Sequence, residues 1–172
     1  MRRFLFVLLA SAALPAAIAA TSGGGQEASD ADTAISAGRL PAGYRDWRLI
    51  SVAHEEGDLH SIGAILGNDV AIQAYREGKL PFPDGTVIAA VHYKDTSSDE
   101  NDQVFGKAQS FVAGSPTNVQ FMVKDSVKYA ATGGWRFAHF VNGKPDPAVP
   151  LEPCFACHKL EARDMVFTKY AP

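Results

Sequence analysis

Apolar and polar positions alternate with period two over two stretches of the chain. Residues 86–94 set Val87, Ala89, Val91 and Tyr93 on one face and Ile88, Ala90, His92 and Lys94 on the other. Residues 135–142 set Trp135, Phe137, His139 and Val141 against Arg136, Ala138, Phe140 and Asn142. Successive side chains of a strand point to opposite faces, so both stretches read as strands. Residues 47–53 and 62–66 are shorter apolar runs of strand length. Residues 104–112 and 118–123 are two further strand candidates, split by Gly114-Ser115-Pro116. One segment has helical spacing: Asn68 and Asp69 can cap a run carrying Val70, Ile72, Ala74 and Tyr75, and Gly78 stops it. Residues 81–85 are turn chemistry and 95–102 a polar loop. Asp125 or Ser126 can cap a short helix ending at Gly133-Gly134, 142–153 is turn-rich, and 154–163 looks helical. Strands outnumber helices and mostly lack helices between them. The pattern predicts an α+β fold, an antiparallel sheet with a few short helices.

The ends of the chain change the domain picture. Arg2 and Arg3 precede an apolar run from Phe4 to Leu14, then Pro15 and Ala17-Ile18-Ala19. A charged start, a short apolar core and an A-x-A site make residues 1–20 a secretory signal peptide, cleaved near Ala19 or Ala20. The run is too short for a membrane span of about 20 residues, and no later stretch approaches that length. Residues 21–38 are small, polar and aperiodic and read as a flexible lead-in. Residues 39–172 remain as one domain. The chain of 172 residues is 47% apolar and 20% charged, with formal net charge −3. Cleavage removes two arginines and no acid, so the exported domain is more acidic still. Such a domain is a poor partner for nucleic acid or anionic lipid. The expected location is the periplasm.

Both cysteines fall in one window, Cys154-Phe155-Ala156-Cys157-His158. C-x-x-C-H is the attachment signature of c-type haem. Two thiols three residues apart can each form a thioether with the two vinyl groups of one porphyrin, and the adjacent imidazole can ligate its iron. Cys154 and Cys157 are therefore the expected tethers of haem c and His158 the expected axial ligand. Attachment outside the cytoplasm agrees with the leader. A thioredoxin-like pair would sit at a helix start in a βαβ unit, which the pattern lacks. A structural disulfide would not call for the histidine, and zinc would need a second ligand pair.

For the sixth position on the iron the candidates are Met122, Met165, His54, His60, His92 and His139. Met165 lies too near His158 in sequence to reach across the ring. Met122 reads as core filler. His54 and His60 flank the acidic stretch 55–58 and read as exposed, and His139 shares a face with Trp135 and Phe137 as a partnered core histidine. His92 is the candidate distal group. None stands out, which favours a five-coordinate iron open to a small gaseous or nitrogenous ligand.

A longer set of motifs runs in order along the chain: residues 83–87, 123–126, 134–137, 154–158 and 164–168. In this the chain resembles the cytochrome P-460 family, from about Gly43 to Tyr170. The resemblance implies an antiparallel-sheet haem c protein, usually a homodimer, with a five-coordinate haem held by the motif histidine. It also implies one of two branches. In cytochrome P-460 proper a lysine is bonded to the porphyrin, a distal acid assists, and hydroxylamine is oxidised. In the similar cytochromes c′-beta that bond is absent and NO or other small gases bind. Counted from the Thr86-Val87 pair, the lysine position is Ala90; counted back from Lys124-Asp125-Ser126, the acid position is Gln120. Alanine has no amine, and glutamine cannot act as a general base near neutral pH. Lys94 is displaced by roughly 13 Å of strand and is no substitute. The distal pocket is thus expected at Ala90, His92 and Gln120. The resulting expectation is an exported c-type cytochrome binding NO or a related nitrogen species. A hydroxylamine-oxidising enzyme and a simple electron carrier served by a redox partner protein are the rivals.

Overall fold

The computed structural model of the protein describes residues 23–57, 59–146 and 152–171. The expected signal peptide lies outside the described residues. Six strands lie in sequence order in one sheet: β1 (Arg48–Glu55), β2 (Ser61–Gly67), β3 (Val87–Ser97), β4 (Phe111–Lys124), β5 (Trp135–Val141) and β6 (Lys144–Pro145). Every neighbouring pair is antiparallel. With α1 (Gly23–Ser36), α2 (Asp69–Glu77), α3 (Asp99–Phe105) and α4 (Glu152–His158), the architecture is α+β, as the pattern predicts.

The period-two faces of β3 and β5 become the two faces of the sheet. Val87, Ala89 and Val91 pack with Val119, Phe121, Val123, Ala138 and Phe140 into one core. Ile88 packs with Met122, Trp135 and Phe137 into the other, together with Ala71, Ile72 and Tyr75 of α2. Helix α2 is set by its caps. The Asn68 side-chain oxygen accepts from Ala71 N at 3.0 Å and from Val87 N at 3.1 Å, and Gly78 closes the helix at φ 61°. One buried amide thus ties the start of α2 to the start of β3.

Four expectations are corrected. Within the expected flexible lead-in, residues 23–36 form α1. Its buried residues Ala28, Ala31 and Ile35 recur at helical spacing and complete the first core. Asp32, on the same helix, is bound by Lys128, Arg136 and the Tyr129 hydroxyl. The helix is ordered by tertiary contacts, not by its own propensity.

Second, the polar loop at 95–102 and the strand start at 104 are replaced by the end of β3 and by α3. No residue of α3 is buried, so the helix has no apolar face to leave a signature. Its ends are set by polar groups, with Asp102 accepting from the backbone N of Gln109 and Ser110 at 2.9 Å each.

Third, Gly114-Ser115-Pro116 does not split a strand. β4 runs through it, with register shifts against β3 near Tyr93. Gly114 is there because a Cβ would collide with the Thr96 side chain. The expected helix after Asp125 is a turn with a short 3-10 segment at Ala130–Thr132. Asp125 Oδ1 does cap that turn, accepting from Val127 N and Lys128 N.

Candidate functional site

Three registered rows of the second sheet face form the floor of a cavity. Ala90 on β3 pairs with Ile65 on β2 and Gln120 on β4, and Gln120 pairs with His139 on β5. One step along, His92 pairs with Gly63 and Asn118. One step the other way, Ile88 pairs with Met122, and Met122 with Phe137. Alternation along each strand aims these side chains the same way. The cavity has a volume of about 630 Å³, inside the usual range for cofactor sites of roughly 300–1,000 Å³. Its opposite wall comes from α4 and the chain after it, through Cys154, His158, Val166 and Phe167.

The motif folds locally as a helix, with Pro153 in its first turn, where a missing N–H is harmless. Positions three and four apart share a helical face, so Cys154 stands over both Cys157 and His158; Cys154 and His158 line the cavity, while Cys157 lies outside the lining. Cys154 is half-buried, Cys157 is exposed, and both thiols are free. Burial pushes the Cys154 thiol up, which keeps it protonated at neutral pH.

His158 is held on three sides. Its ring lies 5.0 Å from Phe137 and 5.1 Å from Phe167, between centroids. Its Nδ1 donates to the backbone carbonyl of Met165 at 2.7 Å. A histidine tied in this way through Nδ1 keeps the Nε2 lone pair for a metal, the arrangement of ligating histidines generally. The carbonyl is aimed by an unusual backbone: Asp164 and Met165 both take positive φ, 53° and 67°. Non-glycine residues stay there only where their surroundings hold them. Here the Asp164 carboxylate is gripped by Lys124 Nζ at 2.9 Å and by Phe82 N at 2.9 Å, and its carbonyl accepts from Trp135 Nε1 at 2.9 Å. The tail beyond is pinned by Ala171 N to Ile50 O and by the Tyr75 hydroxyl to Thr168 O.

The three expected distal residues all line the cavity. Ala90 offers only a methyl group. Gln120 is exposed, and its Nε2 donates to Asn118 Oδ1 at 3.2 Å. His92 is 8% exposed. Burial holds its ring below the ordinary histidine range, the nearby Glu55 pulls it back up, and His139 lowers it further. Met122 and His139 also line the cavity, and His139 Nδ1 sits 3.4 Å from an Asp146 carboxylate oxygen. His54 and His60 do not: both are exposed, and His54 Nε2 pairs with Asp95 at 2.9 Å. Met165 reaches His158 through its backbone, not its sulfur. Lys94 is exposed, outside the lining.

Sequence reasoning missed Glu55. It lies at the end of β1, in an acidic stretch that reads as solvated, yet it lines the cavity beside Ser61 and His92. The available signal was the hairpin: Glu55 pairs with Ser61, and Ser61 with Lys94 of β3, beside His92.

The residues fit a haem. One imidazole has its Nδ1 committed and stands in a cavity with apolar walls, and a thiol four residues before it lines the same space. Among the described residues no group of three or more His, Cys, Asp or Glu is placed to hold a bare metal ion. No described helix is long and apolar enough to cross a membrane. No curated protein sequence matches the chain. The family model for Cytochrome P460 matches residues 41–168, which hold the whole sheet, α2 and the histidine wall, and the chain therefore belongs to the cytochrome P460 family of haem-binding cytochromes.

Proposed function

We propose that the protein is an exported c-type cytochrome, with haem tethered at Cys154 and Cys157 and ligated by His158, that binds NO or a related small nitrogen species. The observation that carries this reading is the His158 Nδ1 bond to Met165 O inside the wall of a cavity. Bound there, the haem supplies an iron centre with affinity for such ligands. The chain's own residues fix the ligating imidazole between Phe137 and Phe167 and set the polarity of the opposite floor. That floor holds the methyl group of Ala90 and the amide of Gln120. Neither side chain can bond a porphyrin or accept a proton at neutral pH.

The test is an optical spectrum of protein produced with a cytochrome c maturation system, reduced, with and without NO. A high-spin ferrous spectrum that shifts on adding NO is expected. A low-spin spectrum indifferent to NO overturns the reading in favour of an electron carrier, and colourless protein overturns the attachment itself. N-terminal sequencing of exported protein should begin after Ala19 or Ala20. A homodimer belongs to the same proposal and is checked by light scattering.

One observation favours a second reading, hydroxylamine oxidation: the cavity contains a carboxylate, Glu55. That reading requires a modified haem with a red-shifted reduced spectrum, and a plain haem c spectrum removes it.

A further inference from the structure

Glu55, at the end of β1, faces Ser61, the first residue of β2, across their hairpin. Ser61 Oγ donates to Glu55 Oε2 at 2.8 Å and lies 3.4 Å from Nδ1 of His92 on β3. All three residues line the cavity. The Glu55 side chain is 37% exposed and that of His92 10%, so the series runs from a wet rim to a buried floor. Gly63 of β2 lies directly against the ring: a Cβ there would stand in van der Waals contact with His92, 3.4 Å from Cε1 and 3.5 Å from Nδ1.

The hydrogen-bond roles follow from counting protons. A serine hydroxyl has one hydrogen and two lone pairs. With the hydrogen given to Glu55, only lone pairs remain for His92, so Nδ1 carries the ring proton. His92 Nε2 is then a bare base. The cavity wall opposite holds the imidazole of His158 in the same Nδ1-protonated form.

We propose that Glu55, Ser61 and His92 form a proton-transfer chain that takes a proton from a small protic ligand, H–X, in the cavity and delivers it to solvent at the rim. The proposal rests on the ligand-binding reading above and adds the class of ligand the floor can process. The H–X bond breaks, X keeps the electron pair, and the proton joins the lone pair of His92 Nε2. The ring then releases its Nδ1 proton to Ser61 Oγ while the Ser61 hydrogen passes to Glu55 Oε2. The products are the anion X⁻, a neutral His92 and a protonated Glu55, which exchanges with water. No electron changes centre.

The surrounding charges suit a base. Glu55 approaches His92 from β1 with its Oε2 at 3.6 Å, and β2 offers Ser61. β4 supplies the neutral Asn118 beside it, and His139 faces it from β5. Lys169 of the tail lines the same cavity and is exposed. Burial keeps the His92 ring neutral at pH 7, ready to accept.

The test compares two probes on matured protein: hydrogen cyanide, which must lose a proton to bind as an anion, and NO, which has none. Association rates and proton release to a pH indicator are followed across pH for wild type, Ser61→Ala, Glu55→Gln and Ser61→Thr. The expected result is a loss of at least about 100-fold in the cyanide rate near neutral pH for Ser61→Ala and Glu55→Gln, with a flattened pH profile. Ser61→Thr, which keeps a hydroxyl, retains the wild-type rate, and NO association falls by far less than cyanide association in every variant. Cyanide rates that do not change, or that fall by the same factor as the NO rates, overturn the chain. Wild-type protein that takes no NO sinks the ligand reading instead, while the cyanide comparison still decides the proton route.

Discussion

Lys124 Nζ lies 2.9 Å from each carboxylate oxygen of Asp164, and the residue after Asp164 is the one whose carbonyl holds His158. The pair is well buried, with side-chain exposures of 5% and 13%, and Lys124 also stands over the Trp135 ring at 4.8 Å. It joins the end of β4 to the strained turn that aims the Met165 carbonyl. Removing one partner of a buried pair strands the other, at a cost of about 3–5 kcal/mol. Lys124→Met should lower stability by that order in denaturant titration. It should also broaden the iron-ligand spectrum of matured protein, because the imidazole loses its fixed orientation. A full loss of stability with an unchanged spectrum would show that the turn keeps its shape without the lysine.

His158→Ala removes the imidazole proposed to ligate the iron but leaves both thiols in α4. The expected product retains covalent haem on a denaturing gel stained for peroxidase activity, while its visible spectrum changes. An unchanged spectrum would place the iron ligand elsewhere.

Helix α1 gives a prediction in pH. Burial pushes the Asp32 carboxyl up, but hydrogen bonds from Lys128, Tyr129 and Arg136 outweigh it and hold the group below its ordinary 3.8. A lowered folded-state value means that the unfolded chain binds the proton more readily. The stabilisation is therefore complete above pH about 4 and is lost as pH falls through the folded value. Asp32→Asn should cost about 1–3 kcal/mol at pH 7 and progressively less as pH falls through the lowered folded value. It should also expose α1 to limited proteolysis before the sheet unfolds. A loss that stays the same as pH falls would mean that Asp32 acts through packing alone.

These elements differ in how plainly the sequence announces them. β3 and β5 are buried on both faces yet keep two distinct sets of residues, so the alternation of Val87 to Lys94 places Ala90 and His92 together on the cavity side. α2 carries its own caps in Asn68 and Gly78. The wall at Cys154 and His158 is legible because the spacing is chemical and needs no tertiary context. α1 is not legible, since its buried stripe is two alanines and an isoleucine among serines and acids, and its decisive residue, Asp32, has all its partners about 100 positions away. α3 presents no buried face at all. Glu55 became a cavity residue only when β1 and β2 paired and brought Ser61 opposite it, a consequence of register that composition cannot carry.

The absence of a porphyrin-bonding amine at position 90 can be reversed. Ala90 lies on the cavity floor between Ile65 and Gln120, on a strand whose next inward residue is His92. Its Cβ already points into the cavity, so a lysine at this position needs no change of register to enter it. Ala90→Lys should acquire a covalent link between the side chain and the porphyrin, visible as a cross-linked haem peptide in the mass spectrum of digested protein and as a red-shifted reduced spectrum. Lys94 lies four residues further along the strand, outside the cavity lining, and wild type should show no such peptide. An unmodified haem mass in the mutant would show that the ring lies out of reach of position 90. A cross-linked wild type would show that another lysine, with Lys169 at the rim the first to examine, already supplies the bond.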